Sequence, residues 1–192
     1  MAKEKKKAAT FEFTKANLAE AKKHIAKYPA GKQRSAVLPL LDIAQRQNGG
    51  WLSTEVMDYV GEMLEVPSIK VYEVASFYSM FNLKHVGKNL IQVCRTTPCW
   101  LRCSDKITDA CKDKLGIGLK ETTADGNFTL VEVECLGACV NAPMVQINDD
   151  YFEDLTADSM VKIIDDLAAG KKIKIGSQIG RQCSAPAGEG KK

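Results

Sequence analysis

Residues 89–99 read Asn89-Leu90-Ile91-Gln92-Val93-Cys94-Arg95-Thr96-Thr97-Pro98-Cys99. The first six are a short apolar run, and a run of that length reads as a buried strand. It ends on a cysteine, and a second cysteine follows in a C-x4-C spacing beside Pro98. A later stretch repeats the arrangement. Phe128 to Cys135 (FTLVEVEC) alternates, with Thr129, Val131, Val133 and Cys135 on one face, and continues as Cys135-Leu136-Gly137-Ala138-Cys139, a C-x3-C. Each close pair thus begins where a predicted strand ends. Loops at the ends of neighbouring strands can converge, which would gather four sulfurs around one point.

Working outward, Leu101 to Leu115 predicts a helix and Met144 to Ile147 a short strand. Asn148-Asp149-Asp150 is a turn into Tyr151-Phe152. Thr156 caps a last helix with Met160, Ile163, Ile164 and Leu167 inward, and Gly170 closes it. The order strand, helix, strand, strand, helix over residues 87–172 predicts an α/β sandwich, with helices covering a mixed sheet. Residues 11–86 have a different period. Leu18, Ala21, Ile25 and Tyr28 predict a helix from about Thr14 to Tyr28. Ser35 caps a second, with Leu38, Leu41 and Ala44 inward; Pro39 falls near its start, where it costs little. Ser53 caps a third, which breaks at Pro67, and a fourth follows Ser68. Four short amphipathic helices with short connections make a small bundle, so the fold class is α+β. Its aromatic end, Tyr72, Phe77, Tyr78 and Phe81, reads first as core packing and second as an anchor for a partner. Residues 1–10 read as a charged, disordered arm. Residues 173–192 lack periodicity and read as an extended tail.

Charge narrows the function. The formal net charge of +3 is carried by Lys3, Lys5, Lys6 and Lys7 against Glu4, and the rest of the chain balances. A nucleic-acid binder needs basic residues clustered on a folded surface, and this pattern argues against one. No apolar run approaches the ~20 residues that span a bilayer, and the N-terminus has neither a signal-like apolar stretch nor the pattern of a transit peptide. A cytosolic protein is expected, with any membrane link made through a partner. Seven cysteines are then read as metal or redox chemistry rather than a disulfide framework.

Both close spacings suit structural zinc and [2Fe-2S] equally, so spacing leaves the two open. A [4Fe-4S] site lacks its C-x2-C-x2-C run. A Rieske centre lacks histidines beside the pairs, since His24 and His85 are remote in sequence and read as surface residues. A thioredoxin-type redox enzyme would need C-x-x-C. Were the site a [2Fe-2S] cluster, its formal charge of about −2 oxidised and about −3 reduced would need stabilising dipoles. Backbone N–H groups of both loops, the start of the helix after Cys99, and the Thr96 and Thr97 hydroxyls are candidates. Gly137 would let backbone approach without a Cβ in the way. Cys103, Ile107, Cys111 and Leu115 repeat every four residues, so Cys103 and Cys111 read as buried small hydrophobes. Cys183 reads as a free thiol at a subunit contact. There is no G-x-G-x-x-G, P-loop, catalytic Ser/His/Asp set or paired catalytic carboxylates, and Asp165-Asp166 reads as solvated. The chain carries a candidate electron site without a substrate site.

Cys94-Arg95-Thr96-Thr97-Pro98-Cys99, followed by Val133-Glu134-Cys135-Leu136-Gly137-Ala138-Cys139-Val140-Asn141-Ala142-Pro143-Met144, resembles the family of [2Fe-2S] E subunits of NADH:quinone oxidoreductase, respiratory complex I. Ala75-Ser76-Phe77-Tyr78 with Phe81, and the tail Gly180-Arg181-Gln182-Cys183-Ser184-Ala185-Pro186-Ala187-Gly188, are similar to it too. The likeness covers nearly all of residues 11–188 and shifts the reading from zinc to [2Fe-2S]. It implies a thioredoxin-like [2Fe-2S] ferredoxin domain behind the bundle, with Cys94, Cys99, Cys135 and Cys139 as cluster ligands. It also implies two partners: the flavoprotein (F) subunit, which binds FMN and NADH, and the iron–sulfur (G) subunit. The location implied is the peripheral arm on the cytoplasmic side of the inner membrane, or the matrix side in a eukaryote. The cluster would accept one electron from the flavin, and the chain alone would not oxidise NADH. Cys103 and Cys111 depart from the family pattern. Arg95 departs as well, and its charge would make the cluster slightly easier to reduce. The same module in an NAD-linked hydrogenase or formate dehydrogenase is the alternative, and a zinc scaffold a remoter one.

Overall fold

A computed structural model describes residues 11–184 and divides the chain into two compact units, split between His85 and Val86. The arm expected at 1–10 and the end of the tail, including Ala185 to Gly188, lie outside the described residues.

The first unit is helical: α1 (Lys15–Ala26), α2 (Val37–Gln47), α3 (Thr54–Leu64) and α4 (Ser68–Phe77). Thr14 and Ser53 cap α1 and α3 with their side chains, accepting from Asn17 N–H and Val56 N–H. Ser35 caps nothing. It lies inside a 3-10 turn, Gln33–Ala36, that leads into α2, so Pro39 falls in the first turn, where its missing N–H is harmless. Leu40, Leu41, Ala44, Leu52, Val56, Val60 and Val71 form the core. Phe81 joins it, but Phe77 is 79% exposed and Tyr78 40%. The core reading of those two aromatics is therefore corrected. Both fall at the frayed end of α4, where the chain turns extended at Tyr78.

The second unit holds a six-stranded mixed sheet: β1 (Asn89–Cys94), β2 (Glu121–Thr122), β3 (Phe128–Val133), β4 (Val145–Ile147), β5 (Asp150–Glu153) and β6 (Gly176–Ser177). Their spatial order is β2-β3-β1-β4-β5-β6. The central pair, β1 and β3, is parallel, with Cys94 opposite Val133, and β4 runs antiparallel on the other side of β1. Gly87 allows the chain into this sheet, because a Cβ there would meet the Phe128 backbone at 2.8 Å. Asn148, in the turn between β4 and β5, reaches back to the start of β1: its Oδ1 accepts from Leu90 N–H at 2.9 Å and its Nδ2 donates to Lys88 O at 3.1 Å.

Helices α6 (Ser104–Leu115) and α7 (Ala157–Ala168) pack on the sheet. Ile107 and Cys111 from α6, and Met160, Ile163 and Ile164 from α7, bury with Ile91, Val93, Phe128, Leu130, Val145 and Ile147. Thr156 and Ser159 form a capping box at the start of α7. The single helix expected from Leu101 to Leu115 is two. The short α5 (Thr97–Leu101) ends before Cys103, whose φ of +64° breaks the helical path. That break overturns the stripe reading for Cys103, which is exposed. Cys111 keeps it, and burial pushes its thiol up to about 12.

Candidate metal centre

The end of β1 and the loop after β3 bring four cysteines together. Cys94 is the last residue of β1, and its N–H donates to Met144 O at 3.3 Å. Cys99 sits inside α5 rather than before a helix, so the N-terminal donors expected beyond it precede it instead. Cys135 and Cys139 flank the loop beyond β3, and Cys139 opens a 3-10 turn that runs to Asn141. The sulfurs neighbour one another in two pairs, Cys94 with Cys99 and Cys135 with Cys139, and Cys94 is close enough to raise the Cys139 thiol electrostatically. Among the described residues, no three His, Cys, Asp or Glu side chains gather as ligands of a single ion.

The two pairs differ in surroundings. Cys94 and Cys99 are 2% and 1% exposed, while Cys135 and Cys139 lie at the surface. Burial pushes the Cys94 thiol up. The Thr96 hydroxyl, the Leu136 and Thr96 N–H groups and Cys99 outweigh it, so Cys94 is held below its ordinary value. Cys99 is pushed up to about 12 by burial and by its hydrogen bond to Cys94, against an opposing Met144 N–H. Cys139 is raised first by its hydrogen bond to Cys135, then by burial and the neighbouring sulfurs. Backbone donors therefore converge on the sulfurs from both sides of the site. Thr96 Oγ1 lies 3.5 Å from Cys94 Sγ, and Gly137 N–H donates to Cys135 Sγ at 3.4 Å. These donors favour negative charge on sulfur and hold Cys94 low, while burial and the neighbouring sulfurs keep Cys99 and Cys139 protonated in the metal-free chain.

Gly137 is needed for its φ of +81°. A Cβ there would meet nothing within 4 Å, so conformation decides rather than close approach. Arg95 pairs with Glu132 at 3.0 Å, which partly neutralises the charge expected to act on the site. Sequence reasoning did not find Tyr151, whose hydroxyl donates to Leu136 O at 2.9 Å. Nor did it find Arg181 Nη2, which donates to Val140 O at 2.8 Å. Both partners come from distant chain segments, and no local pattern announces them. Around the cysteines, Trp100, Leu101 and Val140 are exposed, Val140 at 84%. His24 and His85 belong to the first unit, and Cys183 is half-buried beside Gly176.

The model of the thioredoxin-like [2Fe-2S] ferredoxin family matches residues 21–168. The E subunit of the NADH-quinone oxidoreductase of Rickettsia conorii is 65% identical over 161 residues, covering 84% of this chain and 96% of that protein. The mitochondrial NADH dehydrogenase [ubiquinone] flavoprotein 2 of Dictyostelium discoideum is 53% identical, over 91% of this chain and 70% of that protein. Among solved structures, an NAD+-reducing [NiFe]-hydrogenase in the air-oxidised state shares the fold at a TM-score of 0.60 and 19% identity, over 68% of this chain and 23% of that one. The sheet, the cysteine loops and these likenesses agree: the chain belongs to the thioredoxin-like [2Fe-2S] ferredoxin family, in the branch of the NADH-quinone oxidoreductase E subunits.

Proposed function

We propose that Cys94, Cys99, Cys135 and Cys139 ligate one [2Fe-2S] cluster, and that the chain serves NADH:quinone oxidoreductase by transferring electrons through it. When bound, the cluster supplies one-electron chemistry beside a cofactor that takes electrons from NADH two at a time. The observation that carries the reading is the grouping of sulfurs. Two contacting pairs offer two thiols to each iron, and the donors are sulfur throughout, with no imidazole or carboxylate among them.

This chain's residues prepare the site for negative charge. The N–H groups of Leu136, Thr96, Met144 and Gly137 act on the sulfurs, and β1, paired on one edge with β3 and on the other with β4, fixes Cys94, while α5 carries Cys99. The partners in this reading are the flavoprotein that holds FMN and NADH and the iron–sulfur protein beside it in the peripheral arm. The exposed rim of Trp100, Leu101 and Val140 beside the cysteines suits contact with such a partner. Among the described residues no helix is long and apolar enough to cross a membrane. Attachment to one, in this reading, comes through the complex, on its cytoplasmic or matrix side. The hydrogenase likeness, at 19% identity, extends to the fold alone.

The test is an absorption and EPR spectrum of the purified chain before and after dithionite. A brown protein with a rhombic signal only when reduced is the expected result. A colourless protein holding zinc would overturn the reading.

A further inference from the structure

The second cysteine loop is held from outside by the segment that follows β6. That segment leaves β6, which lies parallel to β5, and Gln178 N–H donates to Glu153 O at 3.0 Å. Arg181 then makes a forked contact. Its Nε reaches Asp154 Oδ1 and Oδ2 at 3.1 and 3.0 Å, while its Nη2 donates to Val140 O at 2.8 Å. The Asp154 side chain is only 6% exposed. Next to it, Gln182 O accepts from Asn141 Nδ2 at 2.8 Å. The same Nδ2 donates to Glu153 Oε2 at 2.6 Å, and the Ser184 N–H and hydroxyl both donate to Glu153. Asn141 and Glu153 are each 1% exposed. Asn141 Oδ1 is left without a partner, so the amide's orientation is set by what its Nδ2 must reach.

Val140 and Asn141 are the residues directly after Cys139. Tyr151 grips the same loop by its backbone, but at Leu136, on the far side of Gly137. We propose that residues 176–184 are a strap that seats the second cysteine loop, with Arg181 as the residue that positions Cys139. The planar guanidinium ties the carboxylate just past β5 to a carbonyl of the loop at once, which a lysine ammonium cannot do with the same geometry. Arg181 acts through backbone and touches no sulfur, so its role is positioning. The proposal rests on the cluster reading above for its consequence, and on hydrogen bonds of this chain for its geometry.

The experiment uses the full chain with its cluster and follows bleaching by an iron chelator, alongside the midpoint of thermal unfolding. Arg181→Ala should speed cluster loss about ten-fold, the scale of breaking a half-buried, hydrogen-bonded ion pair. Arg181→Lys should recover part of it, and Asp154→Asn should fall between. Lys171→Ala, which breaks the 3.0 Å pair with Asp166 elsewhere in the unit, serves as the control and should leave the lifetime unchanged. A lifetime unmoved in both Arg181→Ala and Asp154→Asn would overturn the strap while leaving the cluster reading intact. A wild-type chain that binds no cluster would overturn that reading instead. The strap then stands or falls on amide exchange at Asn141 and Ala142, which Arg181→Ala should accelerate about ten-fold in the metal-free chain; unchanged exchange there would overturn it.

Discussion

The two cysteine pairs are built by opposite means. Cys94 and Cys99 are enclosed by the sheet and α5, with their backbone satisfied by strand pairing and helix. Cys135 and Cys139 sit on an exposed loop whose carbonyls are gripped by side chains from elsewhere, Tyr151 at Leu136 and Arg181 at Val140. On the proposed ligand set, the contrast teaches that a metal centre can combine a rigid half, fixed by regular structure, with a half whose order is borrowed. The first half should fail all at once and the second by degrees.

The largest effect should come from the enclosed pair. Cys94→Ser or Cys99→Ser should abolish cluster binding, read as iron per chain, because a buried site cannot recruit a substitute ligand. Cys139→Ser should keep a fraction, since an exposed loop can adjust to a weaker oxygen ligand. Equal loss from both halves would break the comparison. Next, Tyr151→Phe removes one grip while keeping the ring. It should cost about 1 kcal/mol of stability and shorten the cluster's lifetime several-fold, seen by denaturant titration and chelator bleaching.

A smaller effect concerns acid. The Arg181 guanidinium holds the Asp154 carboxyl below its usual range, and the Ser177 hydroxyl adds to this against burial. A depressed folded value means that the contribution to stability is present above the unfolded carboxyl value of about 4 and is lost as pH falls through the lower folded value. Asp154→Asn should therefore flatten the loss of thermal stability below about pH 4, and an unchanged acid slope would remove Asp154 from the account. The smallest effect sharpens the ligand set. Cys103→Ser should leave iron content and EPR signal as they were, because Cys103 faces solvent beyond the α5 break.

Much of this was legible in the sequence where regular structure is anchored by its own residues. The run NLIQVC is β1 residue for residue, and Thr156 with Met160, Ile163 and Ile164 announces α7. The two-residue strands β2 and β6 carry no period to read. The break at Cys103 needs a left-handed backbone at a residue that gives no sign of adopting one. Phe77 and Tyr78 continue a helical pattern, yet the helix ends beneath them, and spacing does not say where a helix stops. The rigid half of the proposed metal centre is readable because strand and cysteine are adjacent in the chain. The borrowed half is not, because Arg181 and Val140 meet only in space.

At the other end of β1 the hairpin tip acts mechanically. By clasping Leu90 and Lys88, Asn148 is a bolt across the entry of the strand. Gly87 N–H on Thr129 Oγ1 and the N–H groups of Lys88 and Asn89 on Gly126 O and Asn127 O secure the same entry from the β3 side. Replacing Asn148 with glycine would spare the bend yet leave two main-chain groups to water.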